Sequence, residues 1–281
     1  MGPVAAAIRG AALRLAATSD TARLDAEVLM AHALACGRSE LLLRRMDGPV
    51  PASFGALVDR RALHEPVAYI VGSQEFYGLD LRVSPAVLIP RGDSEVVVEA
   101  ALALRPDARR VLDCGTGSGA LLLATLAQVP GARGIGIDRS ARALAVAAGN
   151  AAALKLSGRT AFIERDWTRA GWTSGLGSFD LVLANPPYVE TGAELDPAVR
   201  EHEPAGALFA GADGLADYRL LVPQLPGLLA PGGAALVEIG ATQAVTVAAI
   251  AALAGLTARI GQDLGGRDRV LTLTAKAGEI E

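Results

Sequence analysis

Two short stretches of the chain combine residue types that can do chemistry. The first is Asn185-Pro186-Pro187-Tyr188, which closes the apolar run Leu181–Ala184. Two prolines cannot donate ladder hydrogen bonds and stop both strand and helix, so a core strand ends in a locked, polar corner. Asn185 offers a side-chain carbonyl, Pro186 offers a backbone carbonyl beside it, and proline loses little conformational entropy in holding that group. Two converging acceptors suit a planar NH₂ group. Tyr188 suits stacking on that group or covering it, a contact of about 0.5–1.5 kcal/mol. An amide or aromatic amine nitrogen is a poor nucleophile because its lone pair is delocalised. Acceptors that hold both NH₂ hydrogens favour pyramidalisation and stabilise the positive charge that develops as the nitrogen attacks. Preorganised dipoles of this kind contribute roughly two to three powers of ten in rate. No strong base is needed before attack, since the proton can leave afterwards. Pro-Pro alone reads as a turn; the flanking Asn185 and Tyr188 after a buried strand point to a site, with Asn185, Pro186 and Tyr188 as its catalytic candidates.

The second stretch, "VLDCGTGSGALLLA" (111–124), reads as strand, glycine turn and helix. Gly115, Gly117 and Gly119 let the backbone turn tightly and approach a ligand closely. Such a loop alone is a weak signal. Two acids sharpen it: Asp113 just before the loop, and Asp138 at the end of the next strand, about 20 positions after Gly117, where a carboxylate can accept both hydroxyls of a ribose. A pyrophosphate prefers helix N-terminal N–H groups with no carboxylate nearby, whereas Asp113 suits a ligand carrying a sulfonium and an ammonium group. The spacing is G-T-G-S-G, not G-x-G-x-x-G. The loop therefore favours S-adenosylmethionine over a dinucleotide. Asp166 and Trp167, ending the third strand, are placed to meet an adenine edge and face; a half-buried packing aromatic is the plainer reading of Trp167.

These groups need a scaffold. The 281-residue chain is long enough for one large α/β domain or two domains, and its composition (51% hydrophobic, with alanine the commonest residue, 4% aromatic) suits Ala-rich helices on Val/Leu/Ile strands. The first seventy residues read as helical. An amphipathic segment carries Arg9 and Arg14, so it does not read as a signal peptide. A second helix is capped by Ser19 or Asp20, ended by Gly37, and has an apolar face of Leu24, Val28, Ala31 and Ala35. A short helix from Ser39 to Arg45, a breaker at 47–51 and a helix to about His64 complete a bundle. "QEFYGLDLRVSPAVLIP" alternates around Gly78 and reads as a β-hairpin connector. Strands are expected at Arg110–Cys114, Gly134–Asp138, Thr160–Arg165, Phe179–Ala184 and Ala234–Ile239, with helices near 118–128, 141–155, 215–229 and 242–254. That alternation implies a mostly parallel sheet covered on both faces. Pro223 and Pro226 should kink the helix at 215–229, and the C-terminal run ending "GGRDRVLTLTA" reads as an antiparallel edge pair. The expected domains are 1–72 helical, 73–92 connector and 93–281 Rossmann-like. In such a sheet ligands sit beyond the carboxyl ends of the strands at the switch in strand order, which brings the corner beside the glycine loop.

Net charge is −4, which argues against a domain built to grip nucleic-acid backbones. Cys36 and Cys114 read as free, buried thiols. The three histidines (His32, His64, His202) have no ligand spacing, so no metal site is expected. The longest apolar stretch, Ala244–Leu256, is too short to span a bilayer, and a cytoplasmic, monomeric protein is the expectation.

Nine segments, in order from about residue 22 to 270, resemble the release-factor glutamine N5-methyltransferases (the PrmC/HemK family): "RLDAEVLMAHAL", "EPVAYIVGSQEFYG", "VLIPRGDSE", "LDCGTGSGA", "GIDRSARALAVAAGNA", "FDLVLANPPYV", "EPAGALFAGADGL", "LVEIG" and "GRDRV". The resemblance implies a class I S-adenosylmethionine-dependent methyltransferase with a small N-terminal helical domain that helps bind the substrate protein. The implied reaction methylates the side-chain amide of the glutamine in the Gly-Gly-Gln motif of peptide-chain release factors, leaving S-adenosyl-L-homocysteine. By position, Gly115, Thr116, Gly117, Ser118, Gly119, Asp138, Trp167 and Asn185 carry over as cofactor contacts, and Asn185, Pro186, Pro187 and Tyr188 as the glutamine site. Two departures stand out: Gly92 where the family commonly has proline after the arginine of "IPR", and Cys114 in place of leucine. NPPY also occurs in amino-directed nucleic-acid methyltransferases, so transfer to adenine N6 or cytosine N4 is the competing reading. The acidic balance and the lack of a target-recognition insertion weigh against it. A non-enzymatic adaptor keeping the fold is a third, and the intact Asp113, Asp138 and Asn185 argue against that one.

Overall fold

The computed structural model describes residues 2–275, which form two compact units. The smaller comprises the chain up to Ser73 together with Leu195–His202. Its helices are α1 (Pro3–Leu15), α2 (Ala22–Ala33), α3 (Arg38–Glu40, running on as a π-helical turn, Leu41–Arg45), α4 (Phe54–Ala62) and α5 (Val67–Val71). α1 buries Val4, Ile8, Ala11 and Leu15, the helical spacing of an amphipathic face.

α2 departs from expectation at both ends and in its facing. Thr21 precedes it without a side-chain cap, and the Ser19 and Thr21 hydroxyls instead donate to the Asp25 carboxylate at 2.7 and 2.9 Å. The helix stops at Ala33, before Gly37, because Ala35 takes the left-handed conformation (φ 50°). Leu24 is 44% exposed, whereas Asp25, Ala26, Leu29 and Met30 are buried. The inward face carries its own apolar residues at helical spacing, Ala26, Leu29 and Met30, and Asp25 can be buried beside them because Arg61 Nε of α4 meets its Oδ2 at 2.7 Å. Hydrophobic periodicity cannot anticipate a buried carboxylate that carries its own counter-charge.

The larger unit begins at Gln74, within the two-stranded hairpin of β1 (Ser73–Phe76) and β2 (Leu79–Arg82). Its turn residues Tyr77 and Gly78 both have positive φ (51° and 76°), the mark of a tight hairpin turn. A 3-10 turn, Gly92–Ser94, leads into α6 (Glu95–Leu104). There follow β3 (Arg110–Cys114), α7 (Ala120–Gln128), β4 (Arg133–Asp138), α8 (Ala141–Ala153), β5 (Thr160–Glu164), β6 (Phe179–Ala184), α10 (Ala216–Leu221), β7 (Leu229–Glu238), α11 (Ala244–Leu253), β8 (Leu256–Gln262) and β9 (Asp268–Ala275); α9 (Pro197–His202) falls in the smaller unit. The expected long helix at 215–229 is α10 followed by 3-10 turns through Leu228, since Pro223 and Pro226 lack the N–H an α-helix needs.

The seven strands are ordered β5-β4-β3-β6-β7-β9-β8. β3 pairs in parallel with β4 and β6, and the chain reverses its direction of growth between them. β9 runs antiparallel to β7 and β8, the expected edge pair. Strand alternation sends Val111, Leu181, Leu183 and Leu236 to a layer with α6 and α7, and Leu112, Val182, Ala235 and Val237 to a layer with α10 and α11. Both faces are therefore covered, which is why these strands read as continuous apolar runs. Among the described residues no helix is long and apolar enough to cross a membrane, no cluster of His, Cys, Asp and Glu could hold a metal, and both cysteines are free.

Candidate active site

The glycine loop rises from the carboxyl end of β3 and is tied to β4. Gly115 and Thr116 donate their N–H groups to the Ile137 carbonyl at 2.9 and 2.8 Å. Gly117 donates to Asp138 Oδ2 at 3.0 Å, and Ser140 N donates to Asp138 Oδ1 at 2.9 Å. Each Asp138 oxygen keeps a lone pair for a hydroxyl. Gly115 has φ 74°, and a Cβ there would meet the Trp167 ring at 3.0 Å, so the indole packs directly on the loop. Gly119 has φ 84°; a Cβ would press on Leu123 at 3.0 Å and Ala147 at 3.3 Å, so its role is to let α7 start close to its neighbours.

Asp113 sits beneath the loop, 1% exposed. Thr116 Oγ1 donates to its Oδ2 at 2.7 Å, while Oδ1 has no hydrogen-bond partner among the described residues. Burial pushes this carboxyl up to about 7, with Asp138 adding to the rise and the Thr116 bond opposing it.

A cavity of about 290 Å³ opens over these groups. Asp113, Gly115, Thr116, Gly117, Ser118, Asp138, Trp167, Asn185 and Pro187 line it, all within the larger unit. Gly119, Pro186 and Tyr188, also expected at the site, are not among the lining residues. Trp167 is held by its indole N–H, which donates to Asp217 Oδ1 at 2.9 Å. Asp166 lines the cavity too; burial works to raise its carboxyl, but the Thr168 hydroxyl and N–H, with Arg139 and Arg169 nearby, hold it below the ordinary value.

The corner is anchored from both sides. Register pairs Ala184 of β6 with Val237 of β7, so Asn185 follows next to Glu238. Asn185 Nδ2 donates to Ser94 Oγ at 3.5 Å. Gln243 Nε2 donates to the Tyr188 carbonyl at 3.1 Å. The Tyr188 phenol is pushed up to about 12, first by burial and then by the charge of Glu238. It packs against the core beside Gly240.

Several contributors escaped the residue-by-residue reading. Arg91 pairs with the buried carboxylate of Glu203, which also accepts from Ile89 N at 3.1 Å, and this clamp draws Pro90, Pro204, Gly206 and Ala207 to the cavity. Both belong to segments singled out only by resemblance. Glu238 was signalled by one oddity, an acid at the inner end of the apolar run "AALVEIG".

Can S-adenosylmethionine be held here? The buried Oδ1 of Asp113 has no hydrogen-bond partner among the described residues and can face a cation, Asp138 retains acceptors for a ribose, and the Trp167 face adjoins the loop backbone. The donor set fits.

Known proteins agree with the fold and the two-part organisation of the sequence. Family models for a "PrmC N-terminal domain" and a "Methyltransferase domain" match residues 6–72 and 106–247. A release factor glutamine methyltransferase of Caulobacter vibrioides is 43% identical over 262 residues, 90% of this chain and 89% of that protein. One from Cereibacter sphaeroides is 44% identical over 275 residues, 95% and 96% of the two chains. Among solved structures, the hMettl16 catalytic domain in complex with the MAT2A 3′UTR hairpin 6 matches with a TM-score of 0.57 at 16% identity, covering 84% of this chain and 88% of that one. That likeness is one of fold alone.

Proposed function

The chain belongs to the release factor glutamine methyltransferase family, and from that premise we propose that it methylates the side-chain amide N5 of the glutamine in the Gly-Gly-Gln motif of peptide-chain release factors, using the 185–188 corner as its acceptor site. The observation that carries the site is the meeting, at one cavity, of Asn185 with the loop and acids at the ends of β3 and β4. Bound there, S-adenosylmethionine supplies the methyl group and leaves as S-adenosyl-L-homocysteine. Asp113 would face its cationic end, Asp138 its ribose, and Trp167 with Asp166 its adenine; Gly115, Thr116, Gly117 and Ser118 would line its path.

The corner's part is to receive a primary amide. Asn185 Oδ1 and the Pro186 carbonyl accept its two N–H hydrogens, which loosens the nitrogen lone pair from the amide resonance and stabilises positive charge on that nitrogen. Pro187 walls the cavity, and the Tyr188 side chain, packed on the core, supports the corner from behind. The requirement before attack is for acceptors rather than a base, and once the methyl group has transferred the nitrogen gives up one proton to solvent to leave the neutral N-methyl amide. The setting that follows for a translation-factor substrate is the cytoplasm.

Incubating the protein with a release factor and methyl-labelled cofactor, then mapping the label by mass spectrometry, tests this reading. Label on the Gly-Gly-Gln glutamine is the expected result. Label confined to other residues, or to nucleic acid supplied in parallel, would overturn it.

A further inference from the structure

Glu238 is the buried acid that the reading above does not use. It ends β7, is 2% exposed, and its Oε2 has no hydrogen-bond partner among the described residues. Leaving a buried carboxylate oxygen unpaired is costly, yet this one stands beside the acceptor corner. Strand alternation directs Glu238 and Asn185 to the same side of the sheet, the α6 side, where Ser94 lies 4% exposed. Asn185 Nδ2 donates to Ser94 Oγ at 3.5 Å, and both side chains stand close enough to Glu238 to hold its carboxyl down. The Ser94 bond takes the NH₂ half of the Asn185 amide, the half a carboxylate beside it also attracts.

A primary amide is nearly symmetrical in shape, so packing alone distinguishes its two orientations poorly. Only one is useful at the corner: Oδ1 must face the substrate N–H groups. We propose that Glu238 is a positioning residue which, with Ser94, holds Asn185 Nδ2 behind the corner and so fixes Oδ1 toward the methyl-accepting amide. The inference rests on the reading that the corner receives that amide. A carboxylate can only accept hydrogen bonds, so it rejects the flipped amide; a protonated acid or a glutamine can donate and tolerates it. The groups facing Glu238 are Arg269 of β9, Asp93 of the turn before α6, and the Tyr188 and Tyr218 phenols. Burial raises the Glu238 carboxyl to about 7, with Ser94, Arg269 and Asn185 opposing that rise and Asp93 adding to it. Orientation control is thus expected to weaken on the acid side of that value.

The test is Glu238→Gln, assayed for kcat on a release factor, for cofactor affinity by calorimetry, and for its pH–rate profile. The expected result is kcat lower by about two- to several-fold, the fraction of flipped amide, with unchanged S-adenosylmethionine affinity and loss of the acid limb expected of the wild type. Full kcat in the variant, or parallel losses of kcat and cofactor binding, would overturn the role while leaving the family's reaction intact. A readout independent of substrate is also at hand, because the chain contains only two asparagines, Asn150 and Asn185. In ¹⁵N-asparagine-labelled protein, the Asn185 side-chain NH₂ resonance should titrate with Glu238 in the wild type and stay flat in Glu238→Gln. A resonance that ignores pH in both would sink the proposal, even if no release factor proved to be a substrate. Should Glu238→Gln fail to fold, Ser94→Ala takes its place, with a smaller kcat loss expected at intact cofactor affinity and an unchanged kcat counting against the idea.

Discussion

Replacing Asp113 with asparagine removes a charge from beneath the glycine loop while nearly preserving shape, and its consequence for stability has a definite sign. Burial lifts the carboxyl from 3.8 to about 7 in the folded protein. At ~1.36 kcal/mol per unit, that rise corresponds to roughly 4 kcal/mol. The folded state binds this proton more tightly than the unfolded chain does. The contribution to stability is therefore fully present below about pH 4 and is lost as pH rises through 7. Asparagine does not titrate. It keeps an acceptor for the Thr116 hydroxyl and places an NH₂ where Oδ1 had no partner, a cost of about 1–3 kcal/mol that does not vary with pH. The useful quantity is thus the difference between the two proteins' pH dependences. Other acids, Glu238 among them, are common to both and cancel. Between pH 5 and 8 the wild type should lose roughly 2–3 kcal/mol relative to Asp113→Asn. Urea unfolding of both ligand-free proteins at the two pH values measures it. A variant offset that is the same at pH 5 and pH 8 would refute the assignment of Asp113 as a carboxyl held proton-hungry by burial.

The same carboxyl makes cofactor binding pH-linked: cationic groups near Oδ1 favour its ionised form, so S-adenosylmethionine affinity should rise as pH approaches 7 from below, with proton release visible by calorimetry in two buffers, and Asp113→Asn should flatten the slope. Asn185→Ala should lower kcat by roughly 10²–10³-fold, while its cofactor affinity changes only a few-fold; equal losses in both would argue that the corner serves the cofactor instead. Gly119→Ala places a Cβ at 3.0 Å from Leu123 with φ at 84° and should lower stability by about 1–3 kcal/mol, read as a reduced unfolding midpoint in urea.

Much of the scaffold was legible because its signals are local. Strand alternation, the break at "DGPVP", the hairpin turn at Gly78 and the prolines at 223 and 226 each act through the backbone of their own neighbourhood. The misreadings came where a distant partner decided the outcome. α2 buries Asp25 among its apolar residues because Arg61, 36 positions away in sequence, meets that carboxylate at 2.7 Å. Its C-terminus falls at Ala33 rather than at Gly37, through a left-handed alanine that no propensity favours.

The site divides along the same line. From the sequence alone come the glycine loop, the acids at the ends of β3 and β4, and the rigid Asn-Pro-Pro-Tyr corner, since residue type and spacing carry their chemistry. What the tertiary structure decided is which of them meet, and what stands behind them. Parallel register sets Asn185 beside Glu238, and the Arg91–Glu203 pair brings two remote segments to the cavity wall. Tyr188 turns to the core, and Gly119 serves helix packing rather than the ligand wall. Each of these depends on contacts between residues tens of positions apart, formed only when the sheet closes over its two apolar layers.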